Sequence, residues 1–193
     1  MSAPTLPMLE TARLIVRPFG LDDLAAIHAV LNEAFGDSPL DERREWLAWA
    51  VLNEAALARL HQPPYGDRAV VLKAGGALIG AVGLVPCLMP FDTLPYFQAA
   101  TGQPGTGRFT AEVGLFWALE TAHRGQGYAT EAARALIDQT FTALHVKRLV
   151  ATTEYTNAES IAVMRRLGMR IERNPHPTPE WFQVVGIVEA PAR

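Results

Sequence analysis

Between His123 and Ala132 the chain reads His-Arg-Gly-Gln-Gly-Tyr-Ala-Thr-Glu-Ala, a turn that carries two glycines and a cation. It follows a strand-like run, Arg108 to Leu119, and precedes an alanine-rich helical one. The order strand, glycine turn, helix suits the aiming of backbone N–H groups at an anion. Gly125 and Gly127 can take positive φ and let the backbone approach a ligand closely, while the following helix adds its dipole and its unpaired first-turn amides. Arg124 places a guanidinium at the same spot. A phosphate-bearing ligand is therefore expected. The spacing removes two common phosphate loops: no lysine follows the glycines as a Walker loop requires, and the third glycine of a dinucleotide fingerprint is replaced by Thr130.

Downstream, Arg148 to Glu154 is a β-branched strand candidate, followed by Thr156-Asn157-Ala158-Glu159-Ser160 and a helix that ends at Leu167-Gly168-Met169. Near the N-terminus stand Leu9-Glu10-Thr11-Ala12-Arg13-Leu14 and Arg17-Pro18-Phe19. Together with Arg124-x-x-Gly127-x-Ala129, these segments resemble the GCN5-related N-acetyltransferases (GNAT), whose loop Arg/Gln-x-x-Gly-x-Gly/Ala cradles the pyrophosphate of acetyl-coenzyme A. The subgroup most resembled contains the ribosomal-protein N-terminal acetyltransferases. The likeness covers most of the chain, but Pro86 to Gly107 has no counterpart in it.

The resemblance implies a GNAT acyl-CoA N-acyltransferase fold, acetyl-CoA as co-substrate, no metal, and acetyl transfer to a primary amine by direct attack. In that picture the amides of Gln126, Gly127, Tyr128 and Ala129 face the pyrophosphate, with Gly125, Arg124 and the Thr130 hydroxyl completing the site. The strand Val113 to Leu119 lies along the pantetheine arm, as though the coenzyme were an extra strand between it and Arg148 to Glu154. A backbone N–H near Trp117 or Ala118 polarises the thioester, and Leu119 ends that stretch. Asn157 reads either as a helix N-cap or as a coenzyme contact, and one side chain can do both. Many family members carry a tyrosine seven residues after the motif asparagine. Here that residue is Met164, which cannot donate a proton, and Ser160 is the substitute donor to the leaving sulfur; the alternative is that Ser160 only supports the helix start. Glu112, on the strand leading into the site, is the candidate base, although its face could equally be solvated. Glu154 is second choice, and His123 reads as a loop residue beside phosphate.

How much base is needed depends on the acceptor. An α-amine with pKa near ~7.8 is roughly one-seventh neutral at pH 7, whereas a lysine near ~10.4 is neutral about once in ~2,500, a difference of about 3.5 kcal/mol. A site without an obvious strong base therefore favours an α-amine or a similarly weak one. Two competing readings stay open: an acyl-CoA-binding sensor without catalysis, and an acyltransferase that uses a larger donor such as succinyl-CoA.

The elements that must position these residues follow from periodicity. Leu14-Ile15-Val16 is a short strand stopped at Pro18, and Leu24, Ile27, Leu31 and Phe35 recur at helical spacing. Ser38-Pro39-Leu40-Asp41 predicts a helix capped by Ser38 and running to about Leu60, with Trp46, Leu47, Ala50 and Val51 supplying its buried face and Trp49 read as part of the same core stripe. Arg68 to Lys73, Gly75-Gly76 and Ala77 to Val85 predict a β-hairpin. Pro86 to Gly107, with four prolines and three glycines, reads as a lid or a disordered insert. A helix over Gly127 to Leu144 and strands near Met169 to Arg173 and Trp181 to Val188 complete an α+β chain with a mixed, mostly antiparallel sheet flanked by helices.

The 193 residues, 49% of them hydrophobic, suit one domain spanning 1–193, and the formal charge of −3 gives no footprint for nucleic acid. Cys87 is the only cysteine, which excludes an internal disulfide and leaves no thiol cluster for zinc. It lies beside Pro86 in an apolar run, a poor setting for a nucleophile. Met1 to Met8 lacks an apolar core of signal-peptide length, and nowhere do eighteen apolar residues run uninterrupted. No membrane partner and a cytoplasmic location are expected, with a homodimer formed by pairing of terminal strands as one option.

Overall fold

The computed structural model describes residues 6–63 and 65–191; most of the Met1 to Met8 segment lies outside them. Eight strands form one sheet: β1 (Leu9–Glu10), β2 (Leu14–Arg17), β3 (Gly66–Leu72), β4 (Leu78–Met89), β5 (Thr110–Leu119), β6 (Arg148–Thr153), β7 (Arg170–Arg173) and β8 (Val184–Glu189), hydrogen-bonded in the order β1-β2-β3-β4-β5-β6-β8-β7. The pairs β1–β2, β2–β3, β3–β4, β6–β8 and β7–β8 are antiparallel, and β5–β6 is parallel, with Gly114 opposite Val150. The helices are α1 (Leu24–Phe35), α2 (Leu40–Arg59), α3 (Pro95–Thr101), α4 (Tyr128–Gln139) and α5 (Ala158–Arg166). This is the mixed, mostly antiparallel α+β architecture expected. Contacts divide the chain into two compact units, residues 6–85 with 116–145 and residues 86–115 with 146–191.

The core of the first unit joins Ile27, Val30 and Leu31 of α1, one face of a 3.6-residue period, to Ala69 and Val71 of β3, which alternate with their neighbours at period two. Phe19, Leu47, Ala81 and Ala118 complete it. The second helix departs from expectation in two ways. Its N-cap is Pro39, whose carbonyl accepts from the Arg43 N–H at 3.1 Å, while the Ser38 hydroxyl instead donates to Glu42 at 3.2 Å. Leu47 is fully buried and Trp46, Ala50 and Val51 pack partly buried against the same core, the face expected, but Trp49 is 55% exposed. Between β3 and β4, Gly83 is required, because a Cβ there would sit 2.4 Å from Oδ1 of Asp67. That oxygen is buried without a hydrogen-bond partner among the described residues, and burial pushes the carboxyl up to about 6.

In the second unit the stretch from Pro86 to Gly107 is neither a lid nor disordered. β4 runs on through Pro86 and Cys87 to Met89, a 3-10 turn follows at Phe91–Thr93, and α3 starts with Pro95, where a missing N–H costs nothing, and ends on Gly102 at φ 67°. Phe91, Leu94 and Phe97 are buried with Phe182, Val185 and Ile187, the Phe91 ring lying 5.1 Å from Phe97 and 5.3 Å edge-on to Phe182. The return is pinned by Asp92, whose carboxylate accepts from the Thr106 N–H at 2.7 Å, the Thr106 hydroxyl at 2.6 Å and the Gly107 N–H at 3.1 Å. The last strand also starts later than expected, since Glu180–Phe182 is a 3-10 turn that leaves Trp181 61% exposed.

A packed segment and a lid differ in energy. Phe91→Ala should cost about 3–5 kcal/mol in denaturant unfolding, whereas a loose insert would tolerate the change with almost no loss.

Candidate coenzyme site

After β5 a 3-10 turn, Thr121–His123, leads into the glycine loop. Gly125 and Gly127 take φ of 73° and 83°, the left-handed region the sequence called for. Gly127 is also the N-cap of α4 and, having no side chain, provides no acceptor for the first-turn amides. In the same turn the Thr130 hydroxyl is buried with no partner among the described residues. Donors left unsatisfied at a helix start, with the positive end of its dipole, make a ready anion site. A helix end contributes only about 0.3–1 kcal/mol per charge, so several amides must act together. The side chains of the loop brace it. Arg124 donates through Nε to the Leu119 carbonyl at 3.0 Å, Gln126 through Nε2 to that of Ala122 at 3.1 Å, and His123 Nδ1 lies 2.9 Å from Glu120. The Thr121 N–H donates to Glu33 of α1 at 2.6 Å, which with the Thr121 side chain holds that carboxyl below its usual value. Uncapped amides, an orphaned hydroxyl and a guanidinium rooted beside them fit a diphosphate.

Three residues outside the sequence-derived site also hold this loop. Glu131, in the first turn of α4, accepts the Thr11 hydroxyl at 2.6 Å, the Arg13 backbone N–H at 2.9 Å and Arg13 Nε at 2.7 Å. Arg13 Nη1 donates to the Gln126 carbonyl at 3.1 Å, and its guanidinium lies over the Tyr128 ring, 4.2 Å from the centroid. Burial works against ionisation of Glu131, but the bonds from Thr11 and Arg13 outweigh it and hold the carboxyl below its ordinary value. The sequence shows the acid in the first turn of a phosphate loop's helix, where it would repel the ligand, but not which distant residues offset it.

On β5, Ala118 and Leu119 are buried and Trp117 half-buried, and the Leu119 carbonyl is the one that anchors Arg124. In the second unit Asn157 is the N-cap of α5, accepting the Ser160 N–H at 3.0 Å. These two residues therefore stand together, with the Ser160 hydroxyl making no hydrogen bond to another described residue. Met164 is fully buried against Gly186. Glu112 is not solvated: its side chain is 10% exposed and both oxygens are held by Arg148, one through Nε at 2.8 Å and the other through Nη2. The same contact raises the pKa of Arg148. Glu154 is exposed. Burial and then the charge of Glu112 push the Cys87 thiol up to about 11, which disfavours a thiolate nucleophile. Among the described residues no group of three or more His, Cys, Asp or Glu is placed to hold a metal ion, and no helix is long and apolar enough to cross a membrane.

With this geometry in place, residues 13–170 match the family model of the acetyltransferase (GNAT) domain, which bears out the resemblance read from the motifs. The Bacillus subtilis protein named "Uncharacterized N-acetyltransferase YnaD" is 27% identical over 168 residues, covering 85% of this chain and 83% of that one. A crystal structure of an acetyltransferase from Agrobacterium tumefaciens superimposes with a TM-score of 0.68 at 26% identity, over 95% of both chains. The fold is also that of the ribosomal L7/L12 α-N-protein acetyltransferase RimL, solved in complex with coenzyme A, with a TM-score of 0.60 at 16% identity over 93% of this chain and 94% of that one.

Because the Glu131 carboxyl titrates below its ordinary 4.5 when folded, its contribution to stability is present above that value and lost as pH falls through the folded one. The melting temperature of Glu131→Gln should lie below that of the native protein at pH 7. The gap should close as both are taken below about pH 4; a gap independent of pH would contradict the ion-pair assignment.

Proposed function

Since the chain belongs to the acetyltransferase (GNAT) family, we propose that it transfers the acetyl group of acetyl-CoA to a primary amine, the α-amine of a protein N-terminus or a small weakly basic amine, in the cytoplasm. The observation that carries the reading is the start of α4, where left-handed Gly125 and Gly127, uncapped amides and the orphaned Thr130 hydroxyl converge beside Arg124. The diphosphate is assigned to Gln126, Gly127, Tyr128, Ala129 and Thr130, and the pantetheine arm to Trp117, Ala118 and Leu119, with Asn157 as a further contact.

In the proposed reaction the neutral amine attacks the thioester carbonyl carbon, the C–N bond forms and the C–S bond breaks. The departing thiolate is met by a hydrogen bond from Ser160, and the amine proton leaves to water or to Glu112. For Glu112 to accept it, the proton must go to a carboxylate both of whose oxygens already accept from Arg148. This requirement adds to the preference for an acceptor that is substantially neutral at pH 7, because an α-amine asks about 3.5 kcal/mol less of a base than a lysine does. With the Cys87 thiol pushed up to about 11, an acetyl-cysteine intermediate is disfavoured and direct attack is the proposed route. A second reading, a binding module without turnover, draws on the same commitment of Glu112 to Arg148 and on Met164 in place of a tyrosine donor.

The two readings separate in one assay. Thiol release from acetyl-CoA, measured against a panel of peptide N-termini and small amines with succinyl-CoA in parallel, should depend on the amine and favour α-amines. Ser160→Ala should lower kcat by about 10²-fold or more with little change in acetyl-CoA affinity. Protection against heat by acetyl-CoA with no amine-dependent release from the native protein would establish the binding module instead.

A further inference from the structure

We propose that Arg13 is a positioning residue for coenzyme binding: it sets the direction of the loop's amides and cancels the carboxylate of Glu131 in the first turn of α4. The proposal rests on the coenzyme reading above and concerns a residue that lies far from the loop in sequence. One guanidinium meets three consecutive loop residues. Its Nη1 donates to the Gln126 carbonyl at 3.1 Å, its Nη2 lies 3.5 Å from the place a Cβ on Gly127 would take, and its plane covers Tyr128 at 4.2 Å.

The first of these contacts has a directional consequence. The Gln126–Gly127 peptide is trans, so its C=O and N–H point to opposite sides of the chain. A carbonyl drawn toward Arg13 turns the Gly127 N–H away from it. The left-handed glycines give the loop freedom to present that amide either way, and Arg13 selects one orientation. Preorganised donors of this kind need no reordering when the anion arrives.

The second consequence is electrostatic. Glu131 stands in the first turn of the helix that is to receive the diphosphate, where a free carboxylate would repel it. Arg13 engages Glu131 through Nε at 2.7 Å and Nη2 at 2.6 Å, with the Thr11 hydroxyl on the same carboxylate at 2.6 Å. With Glu131 paired, the start of α4 no longer opposes the diphosphate that Arg124 attracts. Because the Arg13 side chain is 45% exposed, its loss should register in coenzyme binding more than in stability. Lysine cannot replace it, since a single ammonium cannot reach carbonyl and carboxylate in a fork while lying flat on a ring.

The test compares two acyl donors, acetyl-CoA and acetyl-pantetheine, which carries the same thioester without the diphosphate. R13A and R13K should each raise KM for acetyl-CoA about tenfold or more, with kcat at saturation within about twofold of native. Their kcat/KM for acetyl-pantetheine should match the native value. R13A/E131Q should regain part of the lost acetyl-CoA affinity as the uncancelled charge disappears. Native KM values in both single variants, or an equal loss with both donors, would overturn the role of Arg13; no recovery in the double variant would overturn its charge-cancelling half. If the native protein itself fails to prefer acetyl-CoA over acetyl-pantetheine, the diphosphate assignment fails and takes this inference with it.

Discussion

A helix that begins on a glycine with no cap has donors to spare, and the coenzyme reading of this protein depends on where those donors point. Gly127 in the left-handed region ends the loop and starts α4 in one residue, so the chain reaches the helix without a side chain that would satisfy its first amides. Any Ser, Asp or Asn at that position would cap the helix and close the site to an anion. The protein keeps the amides open and stabilises the turn from outside. Arg124 and Gln126 tie back to carbonyls of the preceding segment, Glu33 holds Thr121, and the Thr11–Arg13 segment grips Glu131. Stability is supplied around the donors and withheld at them.

The same loop was the most legible part of the sequence, because glycine spacing, a flanking strand and a flanking helix report backbone conformation directly. The Asn157 cap at α5 was legible for a similar reason, being local in sequence, and Met164 could be read as a non-donor from its chemistry alone. What escaped were contacts between distant segments. Nothing within ten residues of Glu131 reveals that its partners are Thr11 and Arg13. The Pro86 to Gly107 stretch was misread because proline and glycine signal turns without saying whether the turns are packed. Here Pro95 opens a helix, Gly102 closes it, and Phe91 and Phe97 go into a core with Phe182 that no local period could foreshadow. Trp49 shows the converse: helical spacing located α2 and its buried side, Trp46, Leu47, Ala50 and Val51, yet the second tryptophan lies outside it.

Glu112 illustrates how a residue type suited to one chemistry can be given other duties by its surroundings. Its position on β5 suits a base, but a two-point contact with Arg148 in a largely buried setting fixes the carboxylate in place. Its negative charge also helps keep the neighbouring Cys87 thiol protonated. Together these leave a reaction that leans on holding the donor and on the intrinsic nucleophilicity of the amine, with proton transfer in a lesser role. The acceptor preference proposed above then follows from amine basicity more than from a dedicated catalytic acid and base.

The most direct examination of these donors is to watch the amides themselves. In a 15N-resolved NMR titration with adenosine 3′,5′-diphosphate compared with intact coenzyme A, the amide signals of Gln126, Gly127, Tyr128 and Ala129 should move strongly only with the ligand that carries the pyrophosphate linkage. Unmoved loop amides in the presence of saturating coenzyme A would contradict the placement of the diphosphate at the start of α4.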